Sequence, residues 1–142
     1  MTILHVPNSS NISKLKKEIN SKNKPIAMLV YMEGCGPCNA TRPEWEKIKS
    51  DKDILIVDLN KDLLDNELEQ FIGTIDGFPT IKIIHPNGHK IDYNGNRTAD
   101  DFIKWIDLNA NIKKKGGKKR KTMKKKRKTI KKYKIIRKKY KF

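Results

Sequence analysis

Between Lys113 and Phe142 the chain carries 19 basic residues and no acidic one in 30 positions, and this block decides where folding can happen. Like charges at that density repel. Too few apolar residues lie between them to offset the ~1–2 kcal/mol of backbone entropy lost per ordered residue, so no core forms there and a disordered or conditionally helical tail is expected. The other 112 residues hold 14 basic and 16 acidic residues, so the formal charge of +17 belongs to the tail. Their length suits one domain with one core, and the boundary is expected between residues 1–112 and 113–142. The longest apolar run, Ile26 to Met32, is strand-sized and far below the ~20 residues of a membrane span. The first residues lack an apolar run of signal-peptide length, so export by the ordinary route is not expected.

Within residues 1–112 strand-like and helix-like segments alternate. Ile3 to Val6 is a short apolar run. Ser10 or Asn11 is placed to cap a helix with Ile12, Leu15 and Ile19 at helical spacing. Ile26 to Met32 predicts a buried strand, broken at Gly34 to Pro37. A helix is expected from about Cys38 to Ser50 with Pro43 inside it, and Ile54 to Leu59 is a second buried strand by its β-branched content. Asp62 to Ile72 gathers Leu63, Leu64, Leu68, Phe71 and Ile72 on one helical face. Thr80 to Ile84 and Lys90 to Tyr93 flank Pro86-Asn87-Gly88, a hairpin turn, and Thr98 caps a last helix carrying Phe102, Ile103 and Ile106. The order βαβαβαββα predicts an α/β fold: a mixed sheet of about five strands flanked by four helices.

Only two cysteines occur, Cys35 and Cys38. A disulfide-stapled scaffold needs more of them, spread out, and a zinc site needs further paired thiolates or imidazoles that His5, His85 and His89 do not supply. Neither a metal nor a cofactor is called for. A Cys-x-x-Cys pair between a buried strand and a helix points instead to redox chemistry. A cysteine at a helix start meets unsatisfied N–H groups and the positive end of the helix dipole, which stabilise the thiolate, and the thiolate is the nucleophile. Cys35, ahead of the helix and nearer solvent, is therefore expected to attack. Cys38, one turn inside, is expected to resolve the mixed disulfide by attacking Cys35. Gly36 and Pro37 keep the loop short. His85 and His89, flanking the hairpin turn, are expected at the surface.

Four features, in order, resemble the thioredoxin superfamily over nearly all of Met1 to Ile112: Cys35-Gly36-Pro37-Cys38 after a buried strand, Pro43 in the following helix, Gly77-Phe78-Pro79-Thr80, and Asn87-Gly88. Tyr93-Asn94-Gly95-Asn96-Arg97-Thr98 is similar to the Tyr-x-Gly-x-Arg-Thr stretch of protein disulfide isomerase domains. The resemblance implies a thiol–disulfide oxidoreductase with the same roles for the two cysteines. It also implies a cis Phe78–Pro79 peptide lying against them, whose backbone, with Gly36 and Pro37, meets an extended protein substrate. Three positions depart from the family pattern. Gly34 stands where a Trp is usual, Leu29 where a buried acidic residue relays the resolving cysteine's proton, and Asp58 where a Lys is common. One reading of these departures is that the proton acceptor has moved across the sheet to Asp58; the other makes Asp58 a solvated strand-end residue.

The tail suggests polyanion binding. Each Lys or Arg that reaches a phosphate, as in Lys118-Lys119-Arg120-Lys121, releases condensed counterion and gives a salt-sensitive affinity for nucleic acid without sequence preference. Ile130, Tyr133, Ile136 and Tyr140 also fall at helical spacing suited to an anionic surface. The composition after Gly116-Gly117 is similar to that of proteins of large cytoplasmic DNA viruses, which implies a host cytoplasm or a virion; a cytoplasmic or nuclear monomer is the general expectation. The competing function class is a redox-inactive thioredoxin-fold module that tethers to nucleic acid or another polyanion.

Overall fold

The computed structural model describes residues 1–110. The tail from Lys113, with its proposed Lys118, Lys119, Arg120 and Lys121 contacts, lies outside the described residues. Five strands form one sheet: β1 (Thr2–Val6), β2 (Ile26–Tyr31), β3 (Leu55–Asn60), β4 (Thr80–Ile84) and β5 (Lys90–Asp92), in the order β1-β3-β2-β4-β5. β1, β3 and β2 run parallel, and β4 and β5 are antiparallel to their neighbours. The helices are α1 (Ile12–Ser21), α2 (Gly36–Glu46), α3 (Asn66–Ile72) and α4 (Ala99–Asn109). The mixed sheet with four helices expected from the sequence is thus present. Among the described residues no helix is long and apolar enough to cross a membrane.

Burial explains the strand sequences. β2 and β3 lie inside the sheet, every residue of both is buried, and both read as unbroken apolar runs rather than alternating ones. β1 is an edge and alternates exposed with buried positions over its last residues. One core layer joins Leu4, Met28, Val30 and Val57 to Leu15 of α1 and to Leu68 and Ile72 of α3. The other joins Ala27, Leu29, Ile56 and Ile83 to Trp45 of α2 and to Phe102 and Ile106 of α4. Each helix closes one face of the sheet, so β2 carries its last residues out at a rim between the two layers, where α2 begins.

Several details differ from the sequence expectation, some of them set by side-chain caps. Asn11 is the N-cap residue of α1, as the sequence offers, but its side chain makes no cap bond and donates instead to the His5 carbonyl at 2.7 Å; Asn8 caps a preceding 3-10 turn at Ser9–Asn11 by accepting from the Ser10 N–H. α3 starts at Asn66, not Asp62, because Asp65 accepts from the Leu68 N–H at 2.9 Å while Asn60 caps a separate 3-10 turn at Lys61–Leu63. α2 starts at Gly36 and ends at Glu46, although Ile48 beyond it is still buried. His85, expected at the surface, is buried at the end of β4 with its ring stacked 6.1 Å from that of the exposed His89. The hairpin turn itself is as expected, closed by Gly88 N–H to His85 C=O at 2.9 Å, with Gly88 at φ 88°. Thr98 caps α4, accepting from the Asp101 N–H.

Candidate active site

β2 ends at Tyr31, and the chain turns at Gly34, whose φ of 71° lies where a β-carbon is strongly disfavoured. That backbone accounts for glycine at a position where the family pattern has an aromatic. The next residue, Cys35, is the N-cap of α2. Its Sγ accepts from the Cys38 N–H at 3.3 Å, a donor that the first turn of a helix otherwise leaves unsatisfied. Pro37 in the first turn needs no such acceptor. Cys38 faces inward one turn on. Cys35 is 8 % exposed and Cys38 0 %, and both are free thiols. Cys35 Sγ thus faces the N-terminal end of α2 and one of its free N–H groups.

The Phe78–Pro79 peptide is cis, and the Cys35 thiol donates to the Phe78 carbonyl at 3.8 Å. The loop before β4 therefore lies against the cysteine motif, although some 40 residues of chain separate them. Tyr31, Cys35 and Cys38 form a small cluster with Met32 and Phe78 packed on it. The guanidinium of Arg42, from α2, sits 3.8 Å over the Tyr31 ring. A groove of about 440 Å³, lined in part by Thr74, Phe78, Pro79, Asp92 and Arg97, opens beside the cis peptide.

Burial pushes the Cys38 thiol up from its ordinary value, and its hydrogen bond with Cys35 adds to this. A hydrogen bond from the Met32 backbone and the charge of Arg97 oppose the shift. Arg97 thus acts electrostatically on the inner cysteine, from the stretch that resembles disulfide isomerase domains.

Asp58 is 6 % exposed and is the only buried carboxylate among the described residues. It is not a solvated strand-end residue. In the sheet it pairs with Leu29 of β2 on one side and His5 of β1 on the other, so the missing acidic residue at Leu29 has a carboxylate directly opposite it, one strand away. Asp58 does not hydrogen-bond either sulfur. Its Oδ1 meets His5 Nδ1 at 2.7 Å, and the His5 side chain is 55 % exposed. The Asp58 charge acts on Tyr31, which packs with the cysteines. Burial pushes the Tyr31 hydroxyl up, the Arg42 charge pulls it down, and the Asp58 charge adds to the rise. The Tyr31 hydroxyl is buried and lacks a hydrogen-bond partner among the described residues.

The structure therefore brings together Cys35, Gly36, Pro37, Cys38, Phe78 and Pro79, and places Asp58 in β3 opposite Leu29 of β2. Sequence reasoning missed Tyr31 and His5. His5 carried no local signal, since its partner is 53 positions distant. Among the described residues no group of three or more His, Cys, Asp or Glu stands close enough to hold a metal ion.

The thioredoxin family profile matches residues 6–108. Among curated proteins, a protein disulfide-isomerase of Drosophila melanogaster is 38% identical over 96 residues, covering 64% of this chain and 18% of that protein. A probable protein disulfide-isomerase A6 of Medicago sativa is 34% identical over 90 residues, covering 59% of this chain and 24% of its own length. The chain spans less than a quarter of either relative. Among solved structures, the first thioredoxin domain of mouse protein disulfide-isomerase A4 superposes with a TM-score of 0.59 at 22% identity, over 78% of this chain and 75% of that one. A thioredoxin of Schistosoma mansoni gives 0.56 at 19% identity, over 76% and 95%. At these identities the structural likeness speaks for the fold.

Proposed function

This chain belongs to the thioredoxin family, and from that premise we propose that it is a thiol–disulfide oxidoreductase working by dithiol–disulfide exchange at Cys35 and Cys38 on protein substrates. One observation carries the reading: Cys35 Sγ sits at the N-terminus of α2, bonded to the Cys38 N–H and against the Phe78 carbonyl of the cis-proline loop, with Cys38 fully buried behind it.

The Cys35 thiolate attacks one sulfur of a substrate disulfide; the substrate S–S bond breaks, one substrate thiolate leaves, and a mixed disulfide forms. Cys38 then loses its proton and attacks Cys35 Sγ. The Cys35–Cys38 bond forms, the second substrate thiolate leaves, and the substrate has gained two electrons from the pair. Run in reverse, the same steps oxidise a dithiol. Gly36, Pro37 and the Phe78–Pro79 peptide frame the space an extended substrate strand enters. Asp58 takes the proton of Cys38 and passes it towards solvent at His5; its burial, its register opposite Leu29 and its 2.7 Å contact with the half-exposed His5 support this assignment. Residues 113–142 hold the enzyme near polyanions, which the charge of that segment supports.

Reduction of insulin by the purified full chain, with a dithiol as electron source, is the decisive assay. The chain must accelerate it above the dithiol alone, Cys35→Ser must abolish the acceleration, and Cys38→Ser must accumulate a mixed disulfide at Cys35. A wild-type rate equal to that of the dithiol alone removes the enzyme reading. Deleting residues 113–142 leaves insulin reduction intact and abolishes a salt-dependent retention on nucleic acid.

A further inference from the structure

Lys82 is the one charged residue of β4 and the only buried lysine among the described residues, 6 % exposed. The exchange chemistry has no use for it. Its neighbours in the sheet are Met28 of β2 and Asp92 of β5, so its aliphatic stem runs over the layer that α1 and α3 cover. Its ammonium donates to the Ile72 carbonyl at 3.2 Å and to the Thr74 carbonyl at 2.6 Å, and Asp92 Oδ1 stands 3.5 Å away. Ile72 is the last residue of α3, where helical carbonyls lack N–H partners. Thr74 lies in the loop that follows.

That loop leaves α3 at Gly73 and enters β4 at Thr80, and it carries the cis Phe78–Pro79 peptide. Among the described residues the Lys82 ammonium makes the only hydrogen bond to residues 74–76; further along, the Thr80 hydroxyl donates to Gly77 C=O at 2.5 Å and Cys35 reaches Phe78 C=O. The lysine belongs to the strand at which the loop ends and grips the carbonyls at which it starts. Closing a loop in this way removes conformers that the free segment would otherwise populate. A largely buried ammonium favours keeping that grip, because releasing the carbonyls would take hydrogen-bond acceptors from a poorly solvated charge.

We propose that Lys82 is a positioning residue of the active site: by stapling the two ends of the cis-proline loop, it holds the Phe78–Pro79 backbone at the distance from Cys35 that an extended protein substrate requires. This rests on the reading of the chain as an oxidoreductase of protein disulfides. The lysine touches neither sulfur, so its effect falls on substrate binding and leaves the chemistry of Cys35 alone.

The test compares the full-length wild type with Lys82→Met, which keeps the apolar stem, and Lys82→Arg, which keeps charge and donors. Amide hydrogen exchange over residues 73–78 reads the staple without any turnover. Exchange there is expected to rise about tenfold or more in Lys82→Met, the scale of losing a charge-assisted hydrogen bond, and to return toward wild type in Lys82→Arg. KM for a peptide disulfide rises by about the same factor, while alkylation of Cys35 by iodoacetamide, which needs no loop, keeps its rate within about twofold. Unchanged loop exchange in folded Lys82→Met overturns the proposal, as does a fall in Cys35 alkylation parallel to the rise in KM. If Lys82→Met does not fold, Lys82→Leu, which likewise removes the donors, takes its place under the same criteria; failure of both to fold makes Lys82 a residue of the sheet alone and rejects the staple. A wild type that turns over no disulfide strikes at the enzyme reading, and the exchange result still decides the staple.

Discussion

Replacing Asp58 by Asn tests the proton route in a fold left otherwise undisturbed. Asparagine keeps the shape of the side chain, and its amide oxygen still accepts from His5, so the change in folding stability stays within about 1 kcal/mol. What it loses is the capacity to take a proton. Cys38 is 0 % exposed, so bulk water has no direct access to its sulfur, and Asp58 is the only buried carboxylate described. A positioned general base contributes about 10²–10⁴-fold, and because Asp58 is not hydrogen-bonded to either sulfur, a loss of about 10–100-fold is expected. A fluorescent peptide disulfide in stopped flow releases its two thiols in sequence, the first by Cys35 and the second by Cys38. At pH 7 Asp58→Asn slows the second release alone. The deficit narrows as pH rises toward and past the ordinary thiol value of 9.0, where hydroxide takes over the deprotonation. Equal second-release rates for wild type and Asp58→Asn at pH 7 would refute the route. His5→Ala provides the thermodynamic counterpart: it strands a buried carboxylate without its hydrogen-bond partner and costs about 1–3 kcal/mol in urea titrations.

Because burial raises the Cys38 thiol, folding favours its protonated form. That stabilisation is complete below 9.0 and is lost as pH rises through the raised value, so the Tm of the reduced chain falls in alkali and Cys38→Ala flattens the fall. Arg97→Met removes a charge that favours the Cys38 thiolate, and the second thiol release slows at neutral pH while the first does not. Asp65 behaves oppositely to Cys38: hydrogen bonds from Lys16 and from the Leu68 N–H hold its carboxyl below 3.8, the stability they bring is present above 3.8 and lost as pH falls through the lowered value, and Asp65→Asn makes the acid limb of the melting profile shallower. Phe102→Ala empties a fully buried site between the Trp45 and Tyr93 rings, 5.2 and 5.1 Å away, and lowers stability by about 3–5 kcal/mol in chemical denaturation.

Much of the site was readable before the structure. Cys-Gly-Pro-Cys between a run of buried apolar residues and a helical segment specifies a cysteine cap, because only the residue ahead of the first turn meets free N–H groups. The hairpin at Asn87-Gly88 and the cap at Thr98 were legible for the same reason: each is settled by a few consecutive residues. Where α3 begins was misread because Leu63 and Leu64 pack on the core ahead of α3, Leu63 in a separate 3-10 turn, so apolar spacing alone extended the helix past the Asp65 cap. His85 was misread because a histidine beside a turn gives no local sign that the strand before it is buried to its last residue. The lone lysine within Thr80–Ile84 was a visible signal, but its meaning lies in carbonyls at Ile72 and Thr74 that no periodicity points to.

The amino-acid order by itself determined the alternation of strands and helices, the turn chemistry and the identity of the reactive pair, since each of these depends on residues within a few positions of one another. Only the folded sheet decided the surroundings of that pair. Strand order inserted β3 between β1 and β2, and its register set Asp58 opposite Leu29 on one side and beside His5 on the other. It also carried the cis Phe78–Pro79 peptide to Cys35 and the Lys82 ammonium to the end of α3. Those contacts join residues whose separation along the chain says nothing about distance, and their cost in chain entropy is offset only by the cooperative burial of the whole core.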